Sequence, residues 1–232
     1  MRAILCKEYG PAETLVIEDV TSPVVKGHGV KVRVKAAGLN FPDTLIIEGK
    51  YQIQPTMPFS PGGEMSGEVI EIGEKVTRFK PGDRVAGLTG YGAFAEEVVV
   101  PEQNILPIPE SMSDEKAAAF SMVYGTSYYA LKQRANIQPG ETLLVLGASG
   151  GVGLATVELG KAMGAHVIAA ASTAEKLAVA KEAGADELIN YTEEPLKDAV
   201  KRLTNSKGVD VIYDPVGGDF TEQALRAMAW NG

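Results

Sequence analysis

Four glycines, Gly147, Gly150, Gly151 and Gly153, follow directly on the uncharged run Thr142–Leu146, and a helical pattern runs from 151 to 164. A β-branched and leucine run without charge is what a strand buried on both faces of a parallel sheet requires. Glycines at that strand's end let the backbone turn sharply, approach a ligand closely and seat the next helix against the strand. The helix then offers unpaired N–H groups and the positive end of its dipole to an anion. Strand, glycine turn and helix in this order point to the pyrophosphate of a dinucleotide rather than to a plain turn.

The end of the following strand speaks to which dinucleotide. An Asp or Glu about twenty residues after the first glycine grips the ribose hydroxyls of NAD. Here the segment is Val167, Ile168, Ala169, Ala170, Ala171, Ser172 and Thr173, with no carboxylate to repel a phosphate. Ser172 and Thr173 bring hydroxyls, and Lys176 brings an ammonium one helical turn later, a set suited to a 2′-phosphate. Ser172 is equally placed to cap a helix starting near Ala174, with Lys176 as a solvated surface residue. The two roles are compatible, and NADPH is favoured over NADH.

Composition narrows the classes. The 232 residues carry a formal net charge of −8, which argues against nucleic acid or an anionic membrane as partner while allowing a local basic site. Cys6 is the only cysteine, so an intrachain disulfide and a cysteine zinc cluster are excluded. Its neighbours Ile4 and Leu5 fit a packed strand residue better than a nucleophile. The start has too short an apolar run for a secretory leader, and no apolar stretch has the length of a membrane span. The cytoplasm is the default expectation.

Two kinds of sequence succeed each other, and they must position these residues. Up to about residue 110 the chain is predicted to be β-rich: Val30, Val32 and Val34 alternate with Lys31, Arg33 and Lys35, further strands are expected at 67–72 and 92–100, and glycine and proline punctuate them. A compact antiparallel barrel follows, with 51–61 as a loop. From about Ser113 helices are expected at 115–122 and 126–135, interrupted by Gly125. Strands near 142–147, 166–171, 186–190 and 209–214 then alternate with helices near 151–164, 174–183 and 195–205, with a last helix at 220–229. That alternation implies right-handed crossovers and a doubly wound parallel sheet. The domains are thus placed at 1–123 and 124–232. Four strands complete only the first half of a dinucleotide fold, so a fragment truncated at its C-terminus is expected, the alternative being a minimal four-stranded fold.

Several runs in fixed order resemble the zinc-independent quinone oxidoreductase family of the medium-chain dehydrogenase/reductase superfamily. They are Ala36-Ala37-Gly38-Leu39-Asn40-Phe41-Pro42-Asp43, Pro61-Gly62-Gly63-Glu64-Met65-Ser66-Gly67-Glu68-Val69, Gly82-Asp83-Arg84-Val85, Gly125-Thr126-Ser127-Tyr128-Tyr129-Ala130-Leu131, the glycine turn, and Ile189-Asn190-Tyr191. The resemblance covers the whole chain. It implies a GroES-like β-rich barrel domain followed by a Rossmann dinucleotide domain, and an enzyme that uses NADPH to reduce quinones or other conjugated carbonyls. By position it implies Asn40 and Thr126 near the nicotinamide and Tyr51 at the mouth of the substrate cleft. Ser149, Gly150, Gly151, Val152 and Gly153 fall at the pyrophosphate, and Ser172 and Lys176 at the 2′-phosphate. Tyr191 falls near the adenine-side phosphates, and Asp214, Val216 and Gly217 beside the cofactor. Each also has a bland role: Asn40 as a cap, Thr126 as a helix-start residue, Tyr51 as packing, and Asp43 as a structural carboxylate.

The alcohol-dehydrogenase branch carries a zinc-binding cysteine where this chain has Asn40 and a histidine where it has Gly63, so no metal is expected. His28 and His166 stand isolated in the sequence. Hydride transfer from the nicotinamide C4 to a quinone or enone is the favoured chemistry, with no obligatory acid apparent. Alternatives are an enoyl or acryloyl thioester reductase, and a non-catalytic NADPH-binding scaffold or sensor. Longer relatives of this kind are expected to pair as homodimers through the second half, which leaves the oligomeric state of residues 1–232 open.

Overall fold

Valine alternating with lysine and arginine becomes a half-buried strand: Val30 and Val32 are fully buried, while Lys31 and Arg33 face the other way. The computed structural model describes all 232 residues, in two units, Met1–Met122 and Val123–Gly232. In chain order the first unit holds β1 (Arg2–Leu5), β2 (Val16–Asp19), β3 (Gly29–Gly38), α1 (Phe41–Ile47), β4 (Glu64–Ile72), β5 (Arg84–Leu88), β6 (Glu97–Pro101), β7 (Ile105–Pro107) and α2 (Asp114–Ala118). Five strands form an antiparallel sheet in the order β6-β3-β4-β5-β7, and β1 and β2 form a separate antiparallel pair. Isolated bridges from Ala3 to Ala95 and from Cys6 to Phe59 tie β1 and the residue after it to the rest of the unit. The core of the larger sheet is Val30, Val32, Met65, Val69, Val85, Val100 and Ile105 with their neighbours.

The strand expected at 92–100 begins only at Glu97. The amides of Gly92 and Phe94 donate to the Pro61 carbonyl and that of Ala93 to Gly62, so this segment is committed to the Pro-Gly-Gly turn instead of a ladder. β4 starts three residues earlier than expected, at Glu64, because Glu64 and Met65 pair with Leu88 and Gly87 of β5.

Helix α3 (Ser121–Tyr128) spans the boundary between the units. It runs through Gly125 without a break, and the interruption falls instead at Ala119–Phe120, between α2 and α3. A glycine inside a helix costs about 1 kcal/mol against alanine, too little to end one held by packing. A single π-helical turn, Tyr129–Arg134, continues from it.

The second unit alternates strictly: β8 (Thr142–Leu146), α4 (Gly151–Ala162), β9 (His166–Ala171), α5 (Ala174–Glu182), β10 (Glu187–Asn190), α6 (Leu196–Leu203), β11 (Val211–Tyr213) and α7 (Asp219–Leu225). All four strands are parallel, in the order β10-β9-β8-β11. Successive side chains of β8 serve opposite faces, Leu143 and Val145 against α4 and α5, Leu144 and Leu146 against α6 and α7. This is a doubly wound, Rossmann-type sheet, and the strand order reverses between β8 and β11. The last helix is shorter than expected. Val209 donates to the Ala227 carbonyl and accepts from Ala229, which draws residues 227–229 out of a helix and against the chain before β11. No helix is long and apolar enough to cross a membrane.

The closest approach in this unit is between α4 and the turn after β8. A Cβ on Gly153 would lie 2.2 Å from the Gly147 carbonyl oxygen, so a methyl there must push helix and turn apart. Gly153→Ala is therefore expected to lower stability by about 1–3 kcal/mol, the scale of overpacking. Chemical denaturation would measure it, and an unchanged midpoint would show that the turn yields freely.

Candidate functional site

The carboxyl ends of β8 and β11 lie side by side where the strand order reverses, the place at which open α/β sheets form their crevice. The loops leaving the two strands touch: a Cβ on Gly147 would come within 2.9 Å of the Val216 side chain. Gly147 accepts the Gly150 amide at 2.9 Å, which closes the turn through Ser149. Gly150 then caps α4 with no side chain, so no side-chain acceptor occupies the first-turn amides. α4 also has no acidic residue in its first turn, whereas the helices following the other three strands carry Glu175, Asp198, and Asp219 with Glu222. An anion at α4 meets open donors and no opposing carboxylate.

Val152, inside that first turn, accepts through its carbonyl from the hydroxyls of Ser127 (2.9 Å) and Thr156 (2.7 Å). The first of these bonds fastens α3 beside the turn, with the exposed Thr126 next in sequence to the buried Ser127.

At the end of β9 the structure brings Ser172 and Lys176 together: the Lys176 ammonium donates to Ser172 Oγ at 3.0 Å, in an exposed position. Ser172 is not the cap of α5. Thr173 is, its Oγ accepting from the Lys176 amide at 3.3 Å, because the chain enters the helix one residue later than a Ser172 cap requires. Ser172 is thereby left free to face Lys176. Thr192, in the turn after β10, donates from its hydroxyl to the Ser172 carbonyl at 3.3 Å. Tyr191 donates from its amide to Ala171 at 3.2 Å, and its ring lies 4.4 Å from that of Phe220. Val216 and Gly217 are shaped by Asp214, whose carboxylate accepts from their amides at 2.9 and 2.8 Å and from the Thr221 hydroxyl. Burial alone would raise the Asp214 carboxyl, but the donors Gly217, Thr221 and Val216 outweigh it and hold it below its ordinary value.

The first unit has its own cluster. Asn40 caps α1, and the Asp43 carboxylate at the third helical position reaches back to the Asn40 amide at 2.8 Å and across to the Gly63 amide at 2.9 Å. The Asn40 side chain donates from Nδ2 to Glu64 Oε2 at 3.1 Å. Asp43 and Glu64 are both buried. Burial raises both carboxyls, against the lowering effect of their N–H donors, and for Glu64 the neighbouring Asp43 charge adds to the rise. Beside them lies a cavity of about 240 Å³ lined by Asp43, Ile46, Tyr51, Ile53, Leu88 and Met122, among others. Tyr51 is half-buried at this cavity and packs against Ile46, Ile47 and Phe59; Asn40 is not among the lining residues. Glu64 is the functional candidate that sequence reasoning passed over. A glutamate opening an otherwise apolar stretch, Gly63-Glu64-Met65, was the signal for it.

These features match known proteins. Residues 26–110 fit the family described as the alcohol dehydrogenase GroES-like domain, and residues 151–232 the one described as zinc-binding dehydrogenase. The chain is 48% identical to a quinone oxidoreductase-like protein 2 homolog of Nematostella vectensis over all of its own length, and it spans 63% of that relative. A quinone oxidoreductase structure from Pseudomonas syringae superposes with a TM-score of 0.94 at 40% identity, over 98% of this chain and 70% of that one. The Escherichia coli quinone oxidoreductase, solved in complex with NADPH, gives 0.93 at 35%, over 98% and 70%. The chain belongs to the quinone oxidoreductase family of the medium-chain dehydrogenase/reductase superfamily.

Asp214 makes its loop acid-sensitive. Its carboxyl titrates lower folded than unfolded, so its stabilisation is complete above the ordinary value of 3.8 and fades as pH falls from there through the folded value. Thermal melts between pH 2 and 6 should show Asp214→Asn losing this acid-side slope relative to the parent. Parallel curves would mean that the loop is held by other groups.

Proposed function

We propose that the protein is an NADPH-dependent oxidoreductase that passes hydride to a quinone or another conjugated carbonyl without zinc. The observation that carries this is the first turn of α4, without a side-chain cap and free of acidic residues, at the point where the strand order reverses. Ser149, Gly150, Gly151, Val152 and Gly153 are assigned to the pyrophosphate there. Ser172 and Lys176, already paired at the end of β9, are assigned to the 2′-phosphate, and no carboxylate at that strand end opposes it. Tyr191 flanks the adenine side, and Val216 and Gly217 line the cofactor's edge. Asn40 and Thr126 are assigned to the nicotinamide end. The bound cofactor supplies the hydride; the chain orients it and keeps water from it.

The acceptor is assigned to the cavity beside Tyr51. Its walls are mostly apolar, which suits a planar ring. Zinc does not fit the donors present. Asn40 commits its amide to Glu64, Gly63 has no side chain, and Cys6 is packed with Ile46, Ile47 and Phe59. No carbonyl oxygen in this site would meet a thiolate- and imidazole-bound metal.

Three measurements test the proposal. Oxidation of NADPH with a quinone should exceed that with a crotonyl thioester; the reverse order would favour an enoyl thioester reductase, and cofactor binding without turnover a sensor. Lys176→Ala should weaken NADPH binding by about 1–3 kcal/mol and leave NADH nearly unchanged. Equal losses would remove Lys176 from the phosphate site. Elemental analysis should find zinc well below one per chain, with activity indifferent to chelators; stoichiometric zinc lost together with activity would overturn the metal-free assignment.

A further inference from the structure

Two adjacent glycines form the turn before β4, and the fold requires only one of them. Gly62 has a φ of +96°, and a Cβ on it would lie 2.5 Å from the Phe94 ring. Gly63 is outside the left-handed region. A Cβ on it would meet Met122 Cε at 3.5 Å, Asp43 Oδ1 at 3.6 Å and the Gly90 carbonyl oxygen at 3.7 Å, all ordinary van der Waals contacts. Neither the backbone nor a close neighbour therefore demands glycine at position 63. Its main chain is held from both sides: the amide donates to Asp43 Oδ1 at 2.9 Å, and the carbonyl accepts from the Thr89 amide at 2.9 Å. A side chain there could not be drawn back by a shift of the turn. The three residues it would touch, Met122, Asp43 and Gly90, all line the same cavity as Gly63 itself.

We infer that Gly63 is the residue that sets the size of the acceptor, its missing side chain leaving the space that a ring occupies beside Met122 and Asp43. The inference rests on the proposed place of the acceptor in this cavity. It adds a limit: the volume of about 240 Å³ falls below the roughly 300–1,000 Å³ of pockets that take drug-sized ligands. The acceptor class is accordingly a quinone or enone of one or two rings without a bulky substituent. In a space this small one methyl group matters, because a single methylene in an apolar pocket discriminates between ligands by about tenfold or more. The inference also gives the second glycine of the Pro-Gly-Gly turn a reason that the turn itself does not supply.

The test compares the parent with Gly63→Ala, using rings of two sizes. At saturating NADPH, the variant should lose about tenfold more kcat/KM with 1,4-naphthoquinone than with 1,4-benzoquinone. Binding without chemistry is read from the ¹³C-labelled methyl signal of Met122, identified by its loss in Met122→Leu. Phenol and 1-naphthol, rings of the same two sizes that accept no hydride, should both shift this signal in the parent. In Gly63→Ala the affinity for 1-naphthol should fall about tenfold more than that for phenol. Equal losses for the two ring sizes, or a Met122 signal indifferent to both rings, would overturn the inference. So would a Gly63→Ala chain that does not fold, since glycine would then be required by the structure and not by the ligand. Size-selective binding in a protein that reduces neither quinone would remove the acceptor from this cavity while leaving Gly63 as the residue that sets its size.

Discussion

A strand buried on both faces has nowhere to put a polar side chain, and β8 meets that constraint with five residues that leave no charge in either layer. Everything in the second unit is arranged around it. Its two faces take their helices from opposite sides, its neighbours β9 and β11 continue the parallel ladder in opposite directions, and its end opens the turn into α4. Because the sheet is parallel, all its carboxyl ends share one edge. Ser172, Tyr191, Val216 and the glycine turn therefore gather there, although they stand far apart in sequence.

The first unit solves a different problem, the burial of two carboxyl groups, Asp43 and Glu64. Asp43 and Glu64 are not paired with cations. They are satisfied by N–H donors from Asn40, Gly63, Met122 and their neighbours. Backbone amides cannot swing away, so such carboxylates fix geometry more rigidly than an ion pair with a long side chain would. The Pro-Gly-Gly turn, the start of β4, the cap of α1 and the start of α3 all meet at these two groups.

What the sequence made legible is what local pattern determines. Period-two valines marked β3, and uncharged runs between glycine turns marked β8 and β9 to within a residue or so, because both are direct consequences of burial. What it hid depends on partners distant in the chain. α7 stops early because Val209 claims the segment after Leu225, and Gly92 to Phe94 leave β6 because the turn at Pro61 takes their amides. Two adjacent hydroxyls, Ser172 and Thr173, compete for one capping position, and only the backbone path decides between them. Glu64 escaped notice because its partners lie 24 and 58 residues away.

The strand order carries a consequence for how the second unit assembles. From β8 through β9 to β10 each new strand docks beside its predecessor, so each step closes only a short loop over one helix. β11 must instead return to β8, and the bond from the Thr142 amide to the Asp210 carboxylate joins residues 68 positions apart. Loop-closure entropy makes that pairing the one most costly to initiate. On that ground the crevice between β8 and β11 is expected to close last, against a three-stranded platform of β8, β9 and β10.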